Sequence, residues 1–214
     1  MTEELPKPRH RWFAAMYDRM NRMSEGRMMP LRRRLLGGLE GEVLEVGCGT
    51  GTNLELYDWP SIASLEATEP DPFMLQRAVE KLEALEDAAR PEAMPSKVRL
   101  TEAPAESLPF EDRRFDAVVS CLVLCTVADL ERSLSEMRRV LKPGGELRLL
   151  EHVAADGRWR TVQDVVQPVY GWLSAGCRLD RQTEQAVRDA GFELEVWERT
   201  SFSPVHPAFL GAGR

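Results

Sequence analysis

Val43-Leu44-Glu45-Val46-Gly47-Cys48-Gly49-Thr50-Gly51 governs how the rest of this chain is read. Val43, Leu44 and Val46 form the short apolar run of a strand buried on both faces, interrupted by one acid and followed by three alternating glycines. Glycine reaches positive φ without steric cost and leaves the backbone bare, so Gly47, Gly49 and Gly51 suit a turn that lies against a nucleotide-like ligand. A helix is expected from about Thr52, with its amide ends turned to that ligand and favouring a carboxylate or phosphate there.

Outward from this turn, apolar runs alternate with helical patterns. Strands are expected at 43–47, 62–68, 97–101, 115–120 and 146–151, and helices at 52–57, 71–87, 129–140, 158–174 and 180–190. Such alternation gives an α/β doubly wound parallel sheet with helices on both faces. Right-handed crossovers then gather the loops after the strand carboxyl ends along one ligand-binding edge, where Glu45, Glu69, Ala105, Cys121 and Glu151 fall. After Gly191 two strand-like runs, 192–198 and 203–211, are joined too closely for a helical crossover, so the last strand is expected antiparallel.

With 214 residues and 43% hydrophobic side chains the chain builds one core, assigned to residues 39–214, behind a helical segment at 1–38. In a helix over 10–24, Trp12, Phe13, Met16, Tyr17, Met20 and Met23 share one face, while Arg11, Asp18, Arg19 and Arg22 lie off it. That face suits a lid over the ligand, or peripheral contact with an anionic membrane. No run reaches the ~18 uninterrupted apolar residues of a membrane span, and no secretory signal is evident, which places the protein in the cytoplasm. The net charge is −7 although residues 7–34 hold nine Lys or Arg against two acids, so the body is strongly acidic and nucleic acid is not expected as a partner. Cys48, Cys121, Cys125 and Cys177 show no Cys-x-x-Cys pair and no Cys/His cluster in sequence, so free thiols are expected and no metal site.

The glycine spacing departs from the dinucleotide fingerprint G-x-G-x-x-G, because the third glycine comes one residue early and position 52 is Thr. Glu45 to Gly51 instead resembles motif I of the class I S-adenosylmethionine-dependent methyltransferases, of the type 11-like group. That resemblance implies a Rossmann-like, mostly parallel seven-stranded sheet with an antiparallel last strand, S-adenosyl-L-methionine as cofactor and S-adenosyl-L-homocysteine as product. Carried onto this chain, it implies cofactor contacts from Glu45, Gly47, Cys48, Gly49, Gly51 and Asn53, and from Glu69 and Pro70 after the next strand. A carboxylate at Glu69 is placed to accept from both ribose hydroxyls. Ala105 and Glu106 match the segment bordering the adenine, although Ala103-Pro104 replaces the family's usual Gly-Asp and offers no carboxylate to the adenine amino group; Cys121 completes the set. Leu141 to Gly145 matches the family turn before the fifth strand.

Phe13 to Ser24 is similar to the start of the quinone-biosynthesis C-methyltransferases, which implies that Tyr17 covers the cofactor. Leu122 to Val127, Glu151 to Ala155 and Gly176-Cys177 resemble the membrane-associated methyltransferase-like proteins that methylate alkyl thiols, and bacterial phospholipid N-methyltransferases are broadly similar. All imply a small-molecule or lipid acceptor of lipophilic character, with sulfur first, phospholipid nitrogen second and quinone carbon third. A thiol, with its usual pKa of ~8.5, needs little help to ionise. Where a general base is needed, His152, just past a strand end on the binding edge, is the candidate. A reading of another class is a catalytically silent cofactor-binding module.

Overall fold

The computed structural model describes residues 26–88, 98–173, 176–201, 203 and 205–214. The helix expected at 10–24, with Tyr17, lies outside them.

Helix α1 (26–36) stops at Gly37-Gly38, where Gly38 takes φ 72° in the left-handed cap that side-chain-bearing residues avoid. The elements that follow are β1 Gly41–Val46, β2 Ile62–Thr68, α2 Pro72–Ala88, β3 Val98–Thr101, β4 Phe115–Cys121, α3 Leu130–Val140 and β5 Leu141–His152. They continue with α4 Arg158–Leu173, α5 Thr183–Asp189, β6 Leu194–Ser201 and β7 Pro207–Gly213. The seven strands form one sheet in the order β3-β2-β1-β4-β5-β7-β6. Neighbours among β1 to β5 pair in parallel, and β7 runs antiparallel to both β5 and β6, as the short connection after Gly191 required. The strand order reverses between β1 and β4, so the crevice at the carboxyl ends of these two strands is where an open α/β sheet takes its ligand.

Alternation along β1 sorts the core into two layers. Val43 enters one with Leu65, Val119, Leu150 and Leu210 beneath Leu31, Leu35 and Leu36 of α1, while Leu44 and Val46 enter the other with Val118, Leu149, Phe209, Leu134 and Met137. The C-terminal part of the 1–38 segment is therefore core. Arg148 of β5 is buried beneath it, donates to the carbonyls of Leu35 and Gly37 at 3.2 Å each, and lies 4.8 Å from the Trp197 ring centre. These bonds satisfy carbonyls that the end of α1 leaves open.

Two expectations are corrected. The helix expected at 52–57 is a single 3-10 turn, Leu54–Leu56, followed by another at Trp59–Ser61. Asn53 and Tyr57 are both drawn to the buried Glu45, and Pro60 follows at once, which leaves no room for a second α-turn. The fifth strand starts at Leu141, not 146, because Gly145 lets β5 pass close to β4: a Cβ there would sit 2.9 Å from the Asp116 carbonyl oxygen.

Candidate cofactor and acceptor site

The loop after β1 needs its glycines for both conformation and space. Gly47, Gly49 and Gly51 take φ of 66°, 60° and 74°. A Cβ on Gly47 would lie 2.6 Å from Val123, and one on Gly51 3.2 Å from the Cα of Ala78. The N–H of Cys48 donates to the carbonyl of Thr68 at 2.9 Å and ties the loop to the end of β2. Burial, then the nearby Glu45 and Glu69, push the Cys48 thiol up, so this cysteine is a packing group and not a nucleophile.

Glu69 is the loop's partner. Its Oε2 accepts the N–H of Gly49 at 2.9 Å and its Oε1 the N–H of Asp71 at 3.0 Å. Burial pushes its pKa up to about 7 against the pull of those two donors. Each carboxylate oxygen keeps acceptor capacity beyond one N–H, so the group can still take a pair of ribose hydroxyls. Asp71 caps α2 by accepting from the N–H of Phe73 at 2.8 Å, and Pro70 sits half-buried between the two acids.

Glu45 and Asn53 share the opposite side of β1. The Glu45 carboxylate accepts from Asn53 Nδ2 at 2.7 Å and from the Tyr57 hydroxyl at 2.9 Å, and Asn53 Oδ1 in turn accepts from Arg32 at 2.7 Å. Burial raises the Glu45 pKa, opposed by Tyr57, Asn53 and Arg32. This chain of bonds from α1 to β1 braces the floor of the glycine loop. Cys121 closes the same layer, its thiol pushed up to about 11 by burial. Tyr57 and Arg32 carry no motif; only their burial in the fold marks them.

Ala105 packs into the layer beneath α3. Glu106 turns to the start of that helix, where its Oε1 accepts the N–H groups of Ala128 at 2.7 Å and Asp129 at 3.2 Å.

Across the crevice, Glu151 holds the turn after β4. It is fully buried and accepts from the Ser120 hydroxyl at 2.7 Å and from the N–H groups of Val123 at 3.0 Å and Leu124 at 3.1 Å. Burial pushes its pKa up to about 6 against these three donors. The turn, with Leu122 at φ 61°, delivers Cys125 beside the end of β5. There His152 Nδ1 lies 3.9 Å from Cys177 Sγ, and the side-chain donor atoms of Cys125, His152 and Cys177 all fall within 4.8 Å of one another. The four cysteines are free, as expected, but the absence of a Cys/His cluster in sequence is overturned in space. Cys125 follows the end of β4 and His152, expected just past its strand, is the last residue of the adjacent parallel β5; that topology is the signal that would have found the pair. A hydrogen bond from Cys125, then one with His152 and the Arg181 charge, outweigh burial and hold the Cys177 thiol below its ordinary range. The proposed base, His152, is therefore a thiol's neighbour.

A bare-backbone loop bonded to a buried acid, at the switch point of a seven-stranded sheet with one reversed strand, defines an enzyme of the class I methyltransferase type. The methyltransferase-domain family is matched over residues 44–149. Human thiol S-methyltransferase TMT1B is 33% identical, covering 92% of this chain and 82% of that protein. Phosphatidylethanolamine N-methyltransferase of Cereibacter sphaeroides is 33% identical, covering 91% and 89%. A solved S-adenosylmethionine-dependent methyltransferase from Thermotoga maritima shares the fold with a TM-score of 0.66 at 23% identity, covering 95% and 97% of the two chains. The chain belongs to the S-adenosylmethionine-dependent methyltransferases, and S-adenosylmethionine is its cofactor. Among the described residues no helix is long and apolar enough to cross a membrane.

Proposed function

We propose that this enzyme methylates the sulfur of small lipophilic thiols. The observation that carries the reading is the state of the buried acids at the crevice: Glu69, Asp71, Glu106 and Glu151 each accept backbone N–H groups. Each of these carboxylates is engaged in fixing a turn or a helix start, so none is left free to serve a carbon acid or phenol as its base, whereas a thiol near its ordinary pKa ionises without one. The likeness to human thiol S-methyltransferase, which spans nearly the whole chain, supports sulfur as well.

Helix α4 supports the lipophilic half of the reading, because it is built inside out. Gln163 is buried, its side chain accepting from the N–H of Ala155 at 2.9 Å and donating to the carbonyl of Val205 at 3.1 Å. Trp159, Val162, Val165, Val166 and Val169 face outward instead, with Val165 74% exposed and Val169 65%. A contiguous apolar face of this kind marks an interaction surface. In this reading it receives the alkyl part of the acceptor, at a membrane surface or free.

When bound, the cofactor supplies an electrophilic methyl on a sulfonium, open to in-line displacement by a nucleophile. Glu69 would accept from its ribose hydroxyls, and the bare backbone at Gly47, Gly49 and Gly51 would allow the close approach. Glu45, Asn53 and Tyr57 keep that loop in place, and His152 is not required as a base for sulfur.

Incubation with methyl-labelled cofactor and either alkyl thiols or phosphatidylethanolamine vesicles tests the proposal. Label in a methyl thioether is expected; label in the phospholipid with none in a thioether overturns it and favours the nitrogen acceptor of the Cereibacter sphaeroides relative.

A further inference from the structure

We infer that Cys125, His152 and Cys177 form a zinc(II) site with three protein ligands. Their donor atoms lie within 4.8 Å of one another, and the His152 Nδ1 to Cys177 Sγ separation is 3.9 Å. A tetrahedral zinc with Zn–S of ~2.3 Å and Zn–N of ~2.0 Å holds its donors about 3.5–3.8 Å apart, so the His152–Cys177 pair closes by a few tenths of an ångström and the widest pair by up to about one, within reach of a side-chain rotation. The three residues are 2%, 8% and 6% exposed and come from three separate segments: the turn after β4, the end of β5 and the loop before α5.

The backbone holds all three ligands in place without an ion. The carbonyl of Cys125 accepts from the N–H of Arg178 at 2.7 Å, that of His152 from the Thr183 hydroxyl at 2.9 Å, and that of Cys177 from Gln167 Nε2 at 2.8 Å. Gln167 also accepts the N–H of Leu179 at 2.8 Å, so one side chain fixes the loop on both sides of Arg178. Arg181, whose charge acts on both thiols, donates to the carbonyls of Leu124 and Val127. It therefore anchors the Cys125 turn from either side. A ligand set whose members are each positioned by other bonds is what a preformed metal site requires.

The donor set selects the ion. Two thiolates and an imidazole suit zinc and other soft or borderline cations, whereas calcium and magnesium require oxygen. The adjacent carboxylate, Glu151, is committed to Ser120, Val123 and Leu124. Two thiolates balance the dication, and Leu179 and Tyr170 pack around the sulfurs. Three protein ligands leave a fourth position for an exchangeable ligand. The site is distinct from the glycine loop and stands whether the acceptor is sulfur or nitrogen.

The test is cobalt substitution of the full chain, stripped of metal with a chelator and kept reduced. One equivalent of Co2+ is expected to give thiolate-to-cobalt charge-transfer absorption and the intense visible bands of tetrahedral cobalt, both abolished by Zn2+. Cys125→Ser and Cys177→Ser each reduce the charge-transfer band by about half, and His152→Gln weakens zinc by at least roughly 10–100-fold in chelator competition, the range already seen for outer-sphere partners. Cys48→Ser and Cys121→Ser leave the band unchanged. The proposal is overturned if folded, reduced wild-type protein gives no charge-transfer band, if the Cys125→Ser/Cys177→Ser double variant keeps it, or if peptide masses show a Cys125–Cys177 disulfide under reductant.

Discussion

Gly49 donates its backbone N–H to Glu69 Oε2 at 2.9 Å, which joins the glycine loop and the acid after β2 into one unit. Burial holds that acid near 7, so its charge is in play at physiological pH. Ribose hydroxyls donate to the ionised form, and cofactor affinity is therefore expected to fall below pH 7, approaching tenfold per pH unit. Calorimetry from pH 6 to 8 measures this, and proton release on binding should accompany it. Affinity flat across that range would remove Glu69 from the ribose.

The same shift acts on folding with the opposite preference. Glu69 titrates at 4.5 unfolded and at about 7 folded, so between these values the native state binds more protons. Its contribution to stability is complete below 4.5 and lost as pH rises through 7, and Glu151, raised to about 6, has the same sign. The melting temperature of the cofactor-free protein is expected to fall from pH 5.5 to 7.5, less steeply in Glu69→Gln. An unchanged slope in that variant would show that another group titrates.

Gly38 and Gly47 have nearly the same φ, 72° and 66°, but different surroundings. A Cβ at Gly38 meets nothing within 4 Å, whereas at Gly47 it meets Val123 at 2.6 Å. Gly38→Ala is expected to cost only the left-handed conformation, ~1–2 kcal/mol. Gly47→Ala adds overpacking of ~1–3 kcal/mol. Urea unfolding of the pair separates the two contributions, and equal losses would mean that Val123 moves aside freely.

What could be read in the sequence follows from how local each signal is. The alternation of strands and helices and the reversed β7 rest on spacing, because the link between the two strands after Gly191 is too short for a helical crossover. The helix after Thr52 was misread because Glu45 captures Asn53 and Tyr57, a contact that no local propensity reports. Cys125, His152 and Cys177 are 27 and 25 residues apart and meet only when adjacent strand ends are laid side by side. The helical pattern at 158–174 marked α4 as a helix, but not that its valines turn outward while Gln163 turns in.

Tyr57→Phe removes one of two donors to the buried Glu45 carboxylate. The loss is expected at about 1–3 kcal/mol, the cost of leaving a buried group short of a partner. Burial already raises Glu45, so its charged form is the strained one and the penalty should be larger at pH 8 than at pH 5. Chemical denaturation at the two pH values checks this. A pH-independent loss would mean that the hydroxyl matters for packing and not for charge.

Val165 and Val169 stand outward on α4, away from the buried Gln163. Replacing both with serine removes apolar surface without opening a cavity, so each change should alter stability by no more than ~0.5 kcal/mol. If this face receives the alkyl chain of the acceptor, KM rises for a long-chain thiol with kcat unchanged, and kinetics with a short, water-soluble thiol stay as they were. That split is specific, because damage to the cofactor site would lower turnover of both. An equal loss on short and long acceptors would detach the α4 face from acceptor binding.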